Sequence, residues 1–207
     1  MYYVPSSFLL GASKFGLLVH RPCWLKLSSI LTEDEALSLA QMTESSSGAL
    51  IYRATNDGFN ATKFHKQCNW NSKTVTIIKT NSNCIFGGYT AAIWSGERTE
   101  PKKHYDSNAF LFSVRKNGIS NPKKFKIKNA KEAIIGNGNS GPIFGNHDIF
   151  IEDRSNFMRG SYTNFGNSYE LPDGYTYGEE NTKSYLAGSY NTWLVDEIEV
   201  YTVNTII

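Results

Sequence analysis

The chain has 207 residues, 40% of them hydrophobic and 14% aromatic, with a formal net charge of only +2. That length makes one domain with room for a sizeable core, and the composition excludes a disordered or collagen-like chain. No apolar run reaches the roughly 20 residues that cross a bilayer, so no integral membrane segment is expected.

Residues 1–28 show no periodicity, Pro5 and Pro22 interrupt them, and they read as a loosely docked extension. The apolar stretch 8–19 contains Lys14 and lacks both a preceding basic segment and a small-residue cleavage site, so no signal peptide is expected. Thr32-Glu33-Asp34-Glu35 is a capping box, with three acids in the first turn of the helix it opens. The serines and glycine at 45–48 are expected to stop that helix. Residues 49–52 read as a short strand, and Asp57-Gly58 as a turn. Asn60 then suits an N-cap, with Phe59 and Phe64 placed as a hydrophobic staple over a helix reaching Cys68.

The β-branched run Thr74-Val75-Thr76-Ile77-Ile78 reads as a strand. It turns at 81–83 into 84–94, an apolar and aromatic stretch with Gly87 and Gly88 at its centre. The pair reads as an antiparallel hairpin. A glycine inside a strand marks a bulge or a close approach of a neighbour. After a polar loop over 95–108, residues 109–114 form a strand and Asn117-Gly118 a turn. Phe125 and Ile127 alternate with Lys124, Lys126 and Lys128, the pattern of a half-buried strand. Residues 148–151 read as a short strand, 153–184 as a long surface loop, 185–188 as a strand fragment, and 193–203 as a long closing strand. The expectation is an α+β fold, mostly β, with about eight strands and two or three helices.

Three cysteines, Cys23, Cys68 and Cys84, do not make a disulfide framework. They favour a reducing compartment, so a cytoplasmic location is expected. Gly136-Asn137-Gly138-Asn139-Ser140-Gly141 has the G-x-G-x-x-G spacing, but Pro142 and a strand-like run follow where a dinucleotide site needs a helix, so a turn is the preferred reading. His20 with Cys23 and His65 with Cys68 share one spacing that zinc could use. The preferred reading is a helix that buries His65 near the core and Cys68 as a small apolar residue. No metal or other cofactor is expected. No hydrolase triad or nucleophile elbow is found. Glu197 and Glu199 share one strand face and are candidates for an acid/base pair, against the plainer reading of solvated carboxylates.

Charge is segregated, with +10 on residues 1–131 and −8 on residues 132–207, unless the halves interleave and the field averages out. Lys123, Lys124, Lys126, Lys128 and Lys131 form a stripe that could meet anionic lipid or nucleic acid. No interleaved aromatics suit base stacking, so nucleic acid is not expected as a partner. Lysines of this kind also protect a sheet edge, which is the preferred reading.

Seven blocks in order resemble the TLDc domain family. They are Tyr52-Arg53-Ala54 with Asp57-Gly58-Phe59, Phe64-His65 and Cys68; Thr74-Val75-Thr76-Ile77-Ile78-Lys79-Thr80; Phe86-Gly87-Gly88-Tyr89-Thr90 with Trp94; Ala109-Phe110-Leu111-Phe112-Ser113; Gly141-Pro142-Ile143-Phe144-Gly145 with Asp148-Ile149-Phe150-Ile151; Leu186-Ala187-Gly188-Ser189; and Glu197-Ile198-Glu199-Val200-Tyr201. The resemblance covers 29–203, leaving 1–28 as an extension and 204–207 as a tail. Asn146 stands where a further glycine is common, and residues 69–72 lack the usual Asp-Gly-Lys character.

The resemblance implies two antiparallel sheets packed as a sandwich with flanking helices. It also implies a role in protection against oxidative stress and binding to the peripheral sector of the vacuolar proton-pumping ATPase, with no agreed catalytic residues. The expected function is therefore a non-catalytic protein-binding module. One alternative is a thiol-based peroxide scavenger or weak enzyme using Cys68 and His65. Another is an anionic-lipid surface binder acting through the lysines from Lys123 to Lys131.

Overall fold

The computed structural model describes residues 28–96 and 98–205. Apart from Ser28, the extension expected over 1–28 lies outside the described residues, with His20 and Cys23, as do residues 206–207 of the tail. In chain order the elements are α1 (Glu33–Thr43), β1 (Ser45–Arg53), α2 (Ala54–Asp57), α3 (Ala61–Cys68), β2 (Thr74–Thr80), β3 (Ile85–Thr90), β4 (Lys102–His104), β5 (Phe110–Lys116) and β6 (Ile119–Lys126). After a 3₁₀ turn at Ala130–Glu132 come β7 (Ile134–Gly136), β8 (Ile143–Phe144), β9 (Ile149–Phe150), α4 (Glu180–Ala187) and β10 (Val195–Thr205).

The strands form two antiparallel sheets, one in the order β1-β10-β2-β3-β5-β6 and one in the order β4-β7-β8-β9. Ile78, Phe86 and Leu111 of the larger sheet share a core with Ile134, Phe144 and Ile149 of the smaller. On the other face of the larger sheet, Val75, Ile77, Phe112 and Val114 pack with Leu39 and Ala40 of α1. The larger sheet is thus buried on both faces, which is why β2 and β3 are apolar or β-branched at nearly every position. Each fully buried aliphatic side chain of this kind contributes about 1.5–3 kcal/mol. The fold is mostly β with flanking helices, a sandwich as the resemblance implied.

The capping box forms at α1. Glu35 N–H donates to Thr32 Oγ1, and Thr32 N–H donates back to Glu35 Oε2 at 2.9 Å. Glu35 also takes a two-pronged bond from Arg115 of β5, at 2.7 and 2.6 Å. Burial works to raise this carboxyl, but the Arg115 and Thr32 bonds outweigh it and hold it below its ordinary value.

Several elements differ from the sequence expectation. Helix α1 stops before the serines at 45–47, as expected, but they open β1 instead of a loop. Glu44 ends α1 in the left-handed conformation, φ 51°, and the serines then pair with β10, so ladder hydrogen bonds override weak strand propensity. The N-cap residue Asn60 makes no side-chain cap bond. Asp153 takes that place, accepting from Ala61 N–H at 2.7 Å across 92 positions of chain. The loop over 95–108 contains β4. Residues 185–187 are the last turn of α4, closed by left-handed Gly188, rather than a strand. Four helices are present among the described residues, because α2 and α4 join the two that the sequence marks plainly.

The stretch 153–184 is exposed over 156–159 and 176–181, as a surface loop would be, but its middle is anchored. Phe165 and Tyr169 are buried, and the carboxylate of Asp148 holds the segment by its backbone. Asp148 Oδ1 accepts from Gly166, Asn167 and Tyr169 N–H, and Oδ2 accepts from Ser168 N–H. Burial pushes this carboxyl up to about 6, against the pull of the four N–H bonds.

A folded-state value above the unfolded one adds stability at low pH that is lost as pH rises through about 6. Asp148→Asn replaces one acceptor with a donor aimed at backbone N–H. It is expected to cost about 1–3 kcal/mol and to remove that component of the stability–pH profile between the two carboxyl values. Urea melts of both proteins from pH 4 to pH 7 check this.

Candidate functional site

Helix α3 presents the two residues proposed as a reactive pair. Ala61, Phe64, His65 and Cys68 all lie on its buried face. His65 Nδ1 lies 2.8 Å from Asn69 Oδ1, and Nε2 lies 2.8 Å from the Asn137 carbonyl and 3.1 Å from the Ser140 carbonyl. Two carbonyls facing Nε2 place a proton there. The ring therefore clamps the G-x-G-x-x-G turn, and β7 and β8 flank that turn where a nucleotide site would need a helix. Cys68 is 0% exposed. Burial first, and the Asp57 carboxylate second, push its thiol well up, so it stays protonated. Cys84 is likewise a buried free thiol.

Glu197 and Glu199 are not solvated on an outer face, as the plainer sequence reading had it. Strand β10 sits second in the larger sheet, between β1 and β2, and both carboxylates are buried. Each has its own protein partners. Glu197 accepts from Thr55 N–H at 3.0 Å, from the Thr55 hydroxyl, and from its neighbour Ile198 N–H. Glu199 accepts from Arg53 Nη2 at 2.7 Å, Tyr201 OH at 3.0 Å, Ser28 Oγ at 2.7 Å and Ser29 N–H at 2.8 Å. Burial and the Glu199 carboxylate push the Tyr201 hydroxyl well up, so it remains a donor. These carboxylates fasten the chain before α1 and the entry to α2 onto β10.

The signature positions are spread through both sheets. Asp57 accepts from Arg53 N–H at 2.8 Å and closes the turn with Gly58, while Phe59 is half-buried against the inter-sheet core. Phe86, Gly87, Gly88 and Tyr89 form the body of β3, in the middle of the larger sheet. Gly141, Pro142, Phe144 and Gly145 are buried around β8, with Gly141 against Ile151 and Gly145 against Asp148. Gly188 caps α4.

The lysine stripe lies on and beyond β6, an edge strand. Pro122 falls where the β5–β6 register shifts, a second device that blunts a sheet edge. Lys124 Nζ donates to the Met42 carbonyl and lies 4.1 Å from the Phe110 ring centre. Lys128 Nζ donates to the Gly166 carbonyl at 2.6 Å. Lys123 and Lys126 remain exposed.

Two arrangements had no sequence signal. Ser95 Oγ lies 2.9 Å from His104 Nε2, joining the loop after β3 to β4. A cavity of 490 Å³ is lined by Tyr162, Thr163, Asn164, Lys183, Tyr190, Asn191 and Thr192. Its walls offer hydroxyls, carboxamides and one ammonium group. That is a set able to bind a polar ligand. Among the described residues, no helix is long and apolar enough to cross a membrane.

No curated protein matches the chain. The family model of the TLDc domain matches residues 25–204, which is most of its length. The chain therefore belongs to the TLDc domain family.

Proposed function

We propose that the domain is a non-catalytic protein-binding module of the cytoplasm, linked to oxidative-stress protection through association with the peripheral sector of the vacuolar proton-pumping ATPase. Family membership supports the link. The observation that carries the non-catalytic reading is the use made of the four chemically promising side chains. His65, Glu197 and Glu199 spend their polar atoms on the protein's own backbone and side chains, and Cys68 is buried with its proton held. A pull-down with and without the purified peripheral sector tests the reading. Enrichment of the domain is expected, and no enrichment at micromolar protein overturns it.

The scavenger alternative predicts that protection depends on Cys68. Cys68→Ser, or Cys68→Ala, which keeps the position apolar, is expected to leave protection of cells against peroxide intact at equal protein level. Survival curves under peroxide check this. Loss of protection by both variants at equal abundance would favour thiol chemistry.

A further inference from the structure

We infer that Trp70, at the end of α3, is the anchor by which this domain docks onto an acidic protein surface that offers an apolar pocket; the inference rests on the protein-binding reading above. Trp70 is 83% exposed, the most exposed of the large apolar side chains among the described residues. Its backbone is in the left-handed region, φ 67°, a conformation that bulky side chains rarely adopt. No packing of its own side chain explains that choice, since the indole lies in solvent. A strained and exposed residue of this kind points to use by something outside the chain.

The backbone beneath the indole is rigidly held. Trp70 N–H donates to the Trp94 carbonyl at 3.0 Å, and Trp94 N–H donates to the Asn71 carbonyl at 3.2 Å. Trp94 is itself buried, with its indole N–H on Thr74 Oγ1 at 2.8 Å. The Asn71 carboxamide closes the end of α3 by donating to the Gln67, Cys68 and Asn69 carbonyls. Trp70 is thus presented on a fixed platform and loses little backbone freedom on binding. Ile93, next to Trp94 in the chain, is also exposed, at 48%.

The surroundings set the partner's charge. Lys63 and Lys66 lie on the exposed face of α3, and Arg98 joins that face through its bond to Thr62 Oγ1 at 3.0 Å. Among the described residues no ion pair engages these three cations. An aromatic side chain that a partner can bury, with cations on the neighbouring helix face, has the composition of a binding hot spot. A single indole with one isoleucine suits a protein pocket better than a bilayer, whose binding grows with apolar area.

The test uses the full chain and the purified peripheral sector, with Trp70→Gly, a Lys63→Glu/Lys66→Glu double variant, and a Lys123→Glu/Lys126→Glu control on the distant sheet edge. Glycine suits the left-handed conformation, so Trp70→Gly is expected to melt at or above the wild-type temperature while binding at least about 30-fold more weakly. The α3 lysine variant is expected to associate more slowly and to lose most of its salt dependence. The control is expected to bind like wild type.

Wild-type binding that Trp70→Gly leaves unchanged overturns the anchor and leaves the protein-binding reading standing. Absence of wild-type binding overturns that reading and the anchor with it. Vesicles rich in phosphatidylserine form the last arm. If Trp70→Gly loses vesicle binding but keeps the sector, the surface is a lipid contact and the inference fails.

Discussion

Replacing Gly87 with valine is expected to abolish folding. A β-carbon at Gly87 would lie 1.8 Å from the Thr76 carbonyl oxygen and 2.9 Å from the Phe112 ring. Thr76 is backbone of β2, which pairs with β3 through Ile77 and Gly87. It cannot step aside without breaking the central ladder. Gly88 meets a different obstacle, since its β-carbon would lie 2.5 Å from the ring of Phe144, a side chain of the other sheet. Gly87 therefore sets the fit of two strands, and Gly88 the fit of two sheets.

Gly87→Val is expected to lose more than about 4 kcal/mol, enough to remove a marginal native state. Gly88→Ala is expected to cost about 1–3 kcal/mol by overpacking. Part of that should return in Gly88→Ala/Phe144→Leu, where the smaller side chain makes room. Circular-dichroism melts and urea titrations check all three. A Gly87→Val protein with a wild-type midpoint would show that β3 does not pack as described.

Arg53→Met is the second large effect. It removes the guanidinium from Glu199, a side chain that is 0% exposed. Breaking a buried ion pair from one side costs about 3–5 kcal/mol, because a charge is left without its partner in the interior. The Arg53 side chain is 18% exposed, so the lower end, about 3 kcal/mol, is expected. Glu199→Gln should cost less, since the guanidinium it leaves behind reaches water. The double variant Arg53→Met/Glu199→Gln should cost less than the sum of the two singles. Had Glu199 been a solvated carboxylate, each change would fall within about 0.5 kcal/mol, so urea midpoints separate the two descriptions directly.

Local signals in the sequence were strong where one residue's chemistry decides the backbone. Thr32 and Glu35 mark the start of α1 because their bonds are to each other. Asn117-Gly118 marks the β5–β6 turn because both residues accept positive φ, 49° and 83°. The order of the signature blocks identified the sandwich. Local reading failed where distant parts of the chain decide. Asp153 caps α3 from 92 positions away. The four apolar and small residues at 185–188 fit a strand or a helix end equally well, and only the packing of Tyr185, Leu186 and Ala187 into the core selects the helix. Glu197 and Glu199 look solvated until β10 is placed inside the sheet.

The candidate site was least legible of all. The departure at residues 69–72 was visible in the sequence, but the platform that holds the Trp70 backbone comes from hydrogen bonds to Trp94, 24 positions further on. Nothing in the local pattern pairs 70 with 94.

The central claim is that this domain works by binding rather than by chemistry, and a calorimetric titration of the full chain into the purified peripheral sector of the vacuolar proton-pumping ATPase tests it most directly. Saturable binding at fixed stoichiometry is expected, unchanged in Cys68→Ala and at least about 30-fold weaker in Trp70→Gly. Absence of saturable binding at tens of micromolar protein, from a chain that still protects cells against peroxide, would contradict that claim.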